Sequence, residues 1–302
     1  MRTGLILTRD QQNVAETARW AESVGFDHLA CGEHLFFHGA TANAFVLLAA
    51  AAGATERIRL LTALTILPVY PAVLAAKLAA TLDQVSRGRL DLGVGIGGEY
   101  APEFEAVGVP VTERGPRTDE ALEVLRRLFA GGKVDIDGRF TRIPGLELDP
   151  LPVQRPGPPV WVGGRRDGAM RRAGRYGDVW MPYMYTPERL ATSIARVTEV
   201  AGEHGRGPLR TAIFCWGAVD PDPARARRDA IEAAGATYDQ DFEPLADRYL
   251  LTGTPEQVLA RLAEFRDAGA DTVIFGPPRD ADAWQRSARM FATEVIPVLR
   301  GW

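Results

Sequence analysis

The feature that most constrains this chain is an alternation. Short apolar runs are followed repeatedly by longer stretches whose apolar residues recur at helical spacing, the pattern of βα units around a parallel sheet. The runs fall at residues 4–8 (GLILT), 28–32 (HLACG), 58–67 (IRLLTALTIL), 89–95 (RLDLGVG), 159–164 (PVWVGG), 178–183 (DVWMPY), 210–219 (RTAIFCWGAV) and 272–276 (TVIFG). Helical stretches between them include NVAETARWAESVG with Gly25 as its stop, PAVLAAKLAATLDQVS with Pro71 in its first turn, and residues 117–129, 187–203 and 281–298. Eight parallel strands are the number that closes into a filled barrel, so the sequence predicts an α/β fold, a TIM (β/α)8 barrel. An open doubly wound sheet is the structural alternative. One Pro- and Gly-rich insertion, at about residues 131–158, breaks the rhythm between units four and five, and the DG pair at Asp137 and Gly138 suggests a small hairpin there. No low-complexity linker divides the 302 residues, and one domain over 1–302 is expected.

A formal charge of −4 gives no electrostatic case for nucleic acid or an anionic membrane. Two distant cysteines, Cys31 and Cys215, make no disulfide framework, and four histidines without an H-E-x-x-H pattern make a zinc site an unfavoured reading. The N-terminal apolar run is too short for a signal peptide, and FVLLAAAAGA is too short to span a bilayer. The expected location is the cytoplasm.

Gly93, Gly95 and Gly98 spell G-x-G-x-x-G after an apolar run. A dinucleotide-binding turn would open directly into a helix, with an acidic residue about 20 positions on. Here the glycines lead into a long connection with three prolines, and that context fails. In a barrel the same loop closes strand four on the face where barrel active sites sit, and glycine there lets a planar cofactor or a phosphate approach the backbone.

The other strand ends on that face supply few polar groups among apolar and aromatic ones, the make-up of a cofactor cleft. Strand two ends in Glu33 and His34. His34 is suited to proton transfer or to hydrogen bonding a ring, against a purely structural bond to Glu33. Glu99 after strand four could hold a proton, accept a substrate hydrogen bond, or cap the APEFEA segment. Gly163, Gly164 and Arg165 open a helix after strand five, where free N–H groups and arginine bind phosphate; a tight turn with solvated arginines is the alternative. Thr118 and Asp119 read as capping and ion pairing at a helix start. Nothing basic beside Cys31 activates a thiolate. Trp180, Tyr183, Tyr185 and Trp216 read equally as pocket lining and as core. His28 and His38 carry no functional assignment.

Several segments resemble the bacterial luciferase-like flavin and deazaflavin oxidoreductases: GEH after strand two, the block TALTILPVYPAVLAAKLAATLDQVSRGRLDLGVGIGGEYAPEFEAVGVPVTERGPRTDEAL, PVWVGGRRDGAMRRAGRYGDVW, and LTGTPEQVLARLAEFRDAGADTVIF. The resemblance implies a barrel that binds coenzyme F420, or alternatively FMN, at its C-terminal face. It places a non-proline cis peptide at Ala63–Leu64 against the cofactor ring, the glycine–glutamate turn at Gly97, Gly98 and Glu99, the phosphate turn at Gly163, Gly164 and Arg165, and the strand-two histidine at His34. Gly95 and Glu33 join this set as cofactor-side residues, with His34 and Glu99 in the catalytic roles. Many F420-dependent relatives carry Asp-His where this chain has Glu33-His34, and some FMN-dependent ones carry Glu-His-His where it has Leu35.

The implied activity is F420-dependent hydride transfer between the deazaflavin C5 and a small organic substrate. The rivals are an FMN-dependent monooxygenase fed by a partner reductase and a barrel that binds a ligand without turnover. The polar strand ends weigh against the last. Relatives often dimerise, and Trp20 with the alanine-rich helix is the candidate homodimer face, unless both are core.

Overall fold

The computed structural model describes residues 1–7 and 13–302. Eight parallel strands close into a barrel: β1 (Arg2–Ile6), β2 (His28–Cys31), β3 (Arg59–Thr62, resumed at Thr65–Ile66), β4 (Leu90–Gly95), β5 (Val160–Gly163), β6 (Val179–Met181), β7 (Arg210–Val219) and β8 (Thr272–Gly276). Each pairs with its sequence neighbour. Gly4 of β1 sits opposite Ile274 of β8, and Arg210 of β7 opposite Val179 of β6, so no barrel edge is left open. The TIM barrel is thus shown and the open sheet set aside.

Parallel strands are buried on both faces, and two cores follow. The larger lies between strands and helices. The helix Ala44–Ala54 buries Phe45, Leu47, Leu48 and Ala51 against it, and the amphipathic helix Pro187–Glu203 buries Leu190, Val197 and Val200. Each such leucine, valine or phenylalanine side chain contributes about 1.5–3 kcal/mol of transfer free energy. Start signals are local: Thr186 and Thr254 accept from backbone N–H groups of the helices they precede, the second within a full capping box.

The second core fills the barrel. Ala30, Leu61, Trp161, Met181, Ala212 and Ile274 interlock across its axis. Below them, at the N-terminal pole, Asp91 receives two 2.7 Å hydrogen bonds from Arg59, while His28 Nε2 lies 3.2 Å away. The Trp161 ring meets His28 edge-on.

Several boundaries differ from the sequence expectation. Residues 58–67 do not form one strand: β3 stops at Thr62, the Ala63–Leu64 peptide is cis, and pairing resumes for two residues. The first strand lies two residues earlier than expected, and Thr8 lies outside the described residues. The fifth-strand helix begins only at Asp167, while the helix expected from 117 spans Arg114–Ala130, because Pro116 falls in its first turn, where no N–H is needed. Thr118 is therefore inside that helix and bonds back to the Arg114 carbonyl instead of capping, whereas Asp119 does pair with Arg172. The insertion carries the hairpin Val134–Asp137 with Arg142–Leu146. A three-residue strand, Leu251–Gly253, extends the end of β7; it is too short to show alternation.

Candidate active site

At the C-terminal end of the barrel the interior opens. Ile6, Ala63, Leu64 and Phe214 pack on the inner core yet stay partly exposed, forming an apolar floor. Leu64 spreads across β4 and β5. A Cβ at Gly163 would collide with its Cδ1, and one at Gly95 would lie 3.2 Å from it. The room that these two glycines leave is taken by Leu64, so they shape the floor from beneath. Gly97 and Gly98 have φ of +57° and +100°, a backbone that L side chains resist, and they turn the chain sharply from β4 towards the mouth.

Glu33, directly after β2, is 7% exposed and accepts four hydrogen bonds. Oε1 takes the N–H of Ile66; Oε2 takes the N–H of Ala44, the Asn43 amide and the Tyr70 hydroxyl. It ties the resumed part of β3 to the start of the next helix. Burial pushes its carboxyl up to about 6, against the pull of these donors.

His34 points the other way. Its Nδ1 lies 3.2 Å from both oxygens of Glu103, a wholly buried carboxylate on the short helix Ala101–Ala106, and Glu103 also accepts from the Leu35 N–H. A carboxylate can only accept, so Nδ1 carries the proton and Nε2 is the free ring nitrogen. Phe37 stacks on the imidazole at 3.9 Å. Glu99 does not cap Ala101–Ala106; its Oε1 accepts from the Tyr183 hydroxyl. Burial and then the Glu99 charge raise the Tyr183 phenol well above its ordinary range, so it stays a donor. Trp216 donates to the Tyr238 hydroxyl at 3.0 Å, and Tyr238 faces Phe37 edge-on.

After β5, Gly164 turns at φ +120° and the helix Asp167–Tyr176 begins. The Arg165 guanidinium lies over the Tyr183 ring, and its carbonyl is held by Arg189 at 2.8 Å. Arg165, Arg166, Gly168, Arg171 and Arg189 line a surface hollow at this corner.

The structure thus gathers His34, Glu99, Ala63, Leu64, Gly95, Gly97, Gly98, Gly163, Gly164 and Arg165 at one end of the barrel, with Glu33 just beneath. The aromatic set divides: Trp180 and Tyr185 are core, while Tyr183 and Trp216 stand in the mouth wall. Trp20 packs on Phe26 and Trp284. Burial, then Glu33, pushes the Cys31 thiol up to about 12, which leaves it unreactive at neutral pH. Sequence reasoning missed Glu103, Arg189 and Tyr238. The first could have been found as an acid in an apolar helical segment facing the strand-two histidine. A second hollow lies at the opposite pole, and several of its ionic groups are spent on structure: Arg59 on Asp91, Arg210 on Asp271, and Glu22 on the N–H groups of Glu56, Arg57 and Ile58. Among the described residues no helix is long and apolar enough to cross a membrane.

Comparison with known proteins agrees with this geometry. The profile of the luciferase-like monooxygenases matches residues 3–272. The uncharacterized protein Rv0940c of Mycobacterium tuberculosis is 38% identical over 162 residues, 54% of this chain and 55% of that protein; the chain spans about half the length of the curated relatives it matches. Among solved structures, the monooxygenase RslO1 from Streptomyces bottropensis is 26% identical with a TM-score of 0.87, covering 99% of both chains. An F420-dependent secondary alcohol dehydrogenase in complex with an F420-acetone adduct is 25% identical with a TM-score of 0.87, again over 99% of both. The oxygenating constituent of 3,6-diketocamphane monooxygenase from Pseudomonas putida, solved with FMN, shares the fold at 22% identity and a TM-score of 0.80, over 98% of both chains. On these grounds the chain belongs to the luciferase-like monooxygenase family.

Proposed function

We propose that the protein is an F420-dependent oxidoreductase that interconverts a small alcohol and its carbonyl compound. The observation that carries this reading is His34, held at Nδ1 by buried Glu103 and stacked on Phe37, which leaves Nε2 as the ring nitrogen for substrate. Likeness over 99% of the chain to an F420-dependent alcohol dehydrogenase supports the choice of cofactor.

The residues fit such a group. Ala63 and Leu64 offer a flat apolar support, with Gly95, Gly97 and Gly98 beside it, and Gly163, Gly164, Arg165 and Arg189 suit a phosphate at a helix N-terminus. When bound, the deazaflavin supplies a hydride acceptor or donor at C5. The protein's part is proton handling and placement. His34 Nε2 takes the hydroxyl proton of the alcohol, or returns it to the carbonyl oxygen in reverse, and the Glu103 carboxylate stabilises the imidazolium that forms. Glu99, fixed by Tyr183, orients the bound ring or the substrate oxygen. Glu33 acts from below by holding Ile66 and hence the floor. The aromatic wall of Phe37, Tyr183, Trp216 and Tyr238 restricts water.

Reduced cofactor would come from a separate reductase, the enzyme would work in the cytoplasm, and the exposed face of helix Ala44–Ala54 around Val46 would join two copies. Equilibrium titration of the purified protein with F420 and with FMN tests the main reading. Tight F420 binding that weakens in Arg165→Ala is expected; tight FMN binding with none of F420 would refute it in favour of a flavin monooxygenase.

A further inference from the structure

One guanidinium nitrogen in the mouth wall has no hydrogen-bond partner among the described residues. Arg279 follows β8, and its Nη1 is shut off from solvent with no hydrogen-bond partner. Among the described residues no carboxylate pairs with it. By contrast, Arg225 after β7 and Arg286 seven residues further along the chain both engage Asp220. The Arg279 Cζ stands 5.8 Å from the centre of the Trp216 ring. That ring lies over Gly276 at the end of β8, where a Cβ would strike it. Through Trp216 the guanidinium joins the wall that runs by Tyr238 and Phe37 to His34.

An unpaired, partly desolvated guanidinium is costly, and a ligand's negative charge relieves that cost. In a ring of eight strands β8 lies opposite β4, so the loop that carries Arg279 stands across the mouth from the glycine turn, with the arginine corner after β5 next to that turn. The clustered arginines that suit a phosphate stand at that other corner. A single guanidinium on an aromatic wall instead matches one charge in planar form, with an apolar body beside it. We propose that the substrate is an organic acid, and that Arg279 is the specificity residue that grips its carboxylate while its apolar part lies against Trp216 and Tyr238. This rests on the reading of the mouth as a redox site, and it adds the class of substrate.

Quenching of the intrinsic tryptophan fluorescence, to which Trp216 contributes as one of six tryptophans, reports occupancy. The probes are phenylacetate and its neutral isostere phenylacetamide, titrated into wild type, Arg279→Gln and Arg279→Lys, each with and without F420. Wild type is expected to bind the acid at least about tenfold more tightly than the amide, the scale of one charge-assisted hydrogen bond. Arg279→Gln should erase that preference and Arg279→Lys should keep part of it. Neither variant should melt below wild type, since no hydrogen bond is lost and Arg279→Gln removes a desolvated charge, and both should keep the wild-type F420 affinity. Equal binding of acid and amide, or no binding of either, would overturn the proposal. So would an acid preference that survives Arg279→Gln, or a loss of F420 affinity in that variant, which would give the residue to the cofactor. If instead wild type binds no F420 but still prefers the acid through Arg279, the redox reading fails and the anion site stands.

Discussion

Glu33→Gln separates two opposing forces at the floor of the mouth. Four donors converge on this carboxylate and favour its charged form, while burial favours the neutral one, and burial prevails. A carboxyl raised from its ordinary 4.5 to about 6 binds its proton more tightly in the folded than in the unfolded chain. Its contribution to stability is therefore complete below about pH 4.5, declines as pH rises, and is gone above about 6; its size is about 2 kcal/mol. Glutamine does not titrate, and it turns one acceptor into a donor. With the amide nitrogen at the Oε1 position it faces the Ile66 N–H, which leaves a buried donor unmatched at about 1–3 kcal/mol. The expected result is a variant less stable than wild type at every pH, by a margin that shrinks by about 2 kcal/mol between pH 4.5 and 7. Urea unfolding followed by tryptophan fluorescence at several pH values measures that margin. A margin independent of pH would refute the reasoning. One that widens as pH rises would show that the four donors outweigh burial.

Two further substitutions probe the scaffold. Arg89 spends all its donors on Ser86, Thr55, Ile58 and Ala52: three bonds go to backbone carbonyls around the C-terminus of Ala44–Ala54, one to the Ser86 carbonyl at the end of the helix Ala72–Val85, and one to the Thr55 hydroxyl. Arg89→Met should lower unfolding free energy by about 3–5 kcal/mol, and a loss under about 1 kcal/mol would mean that water replaces the guanidinium. Gly163→Ala puts a methyl where Leu64 Cδ1 lies, and should cost about 1–3 kcal/mol. Adding Leu64→Ala should recover part of that loss, and strict additivity in the double variant would show that the two residues do not compete for the same space.

The barrel was legible because its signals are local and repeated. Buried parallel strands read as short apolar runs, and each helix shows its own period and its own cap. The site was legible only in part. Glu33 and His34 are adjacent in sequence, yet they serve opposite sides of the loop, and nothing in their order says which faces the mouth. Glu103 is 69 residues from His34, and only the bend at Gly97 and Gly98 brings the two together. The glycines of β4 and β5 announced open space; that Leu64 reaches into it depends on where β3 breaks, which hydrophobic spacing does not encode. Short elements such as Leu251–Gly253 offer too few residues for a period to emerge.

Among the described residues, the layer of His28, Asp91 and Arg59 beneath the packed interior closes the N-terminal pole and leaves the mouth as the door. Traffic through a one-door chamber is first in, last out: a large guest that fills the doorway with its tail must settle before a small one, and the small one must depart before the large one can. If the ring-bearing molecule is the deeper guest, kinetics should follow a compulsory order, with release of the small product ahead of any exchange of the larger molecule. The stopper also fixes the direction of approach, since every reacting atom arrives from the side where His34 and Arg279 stand.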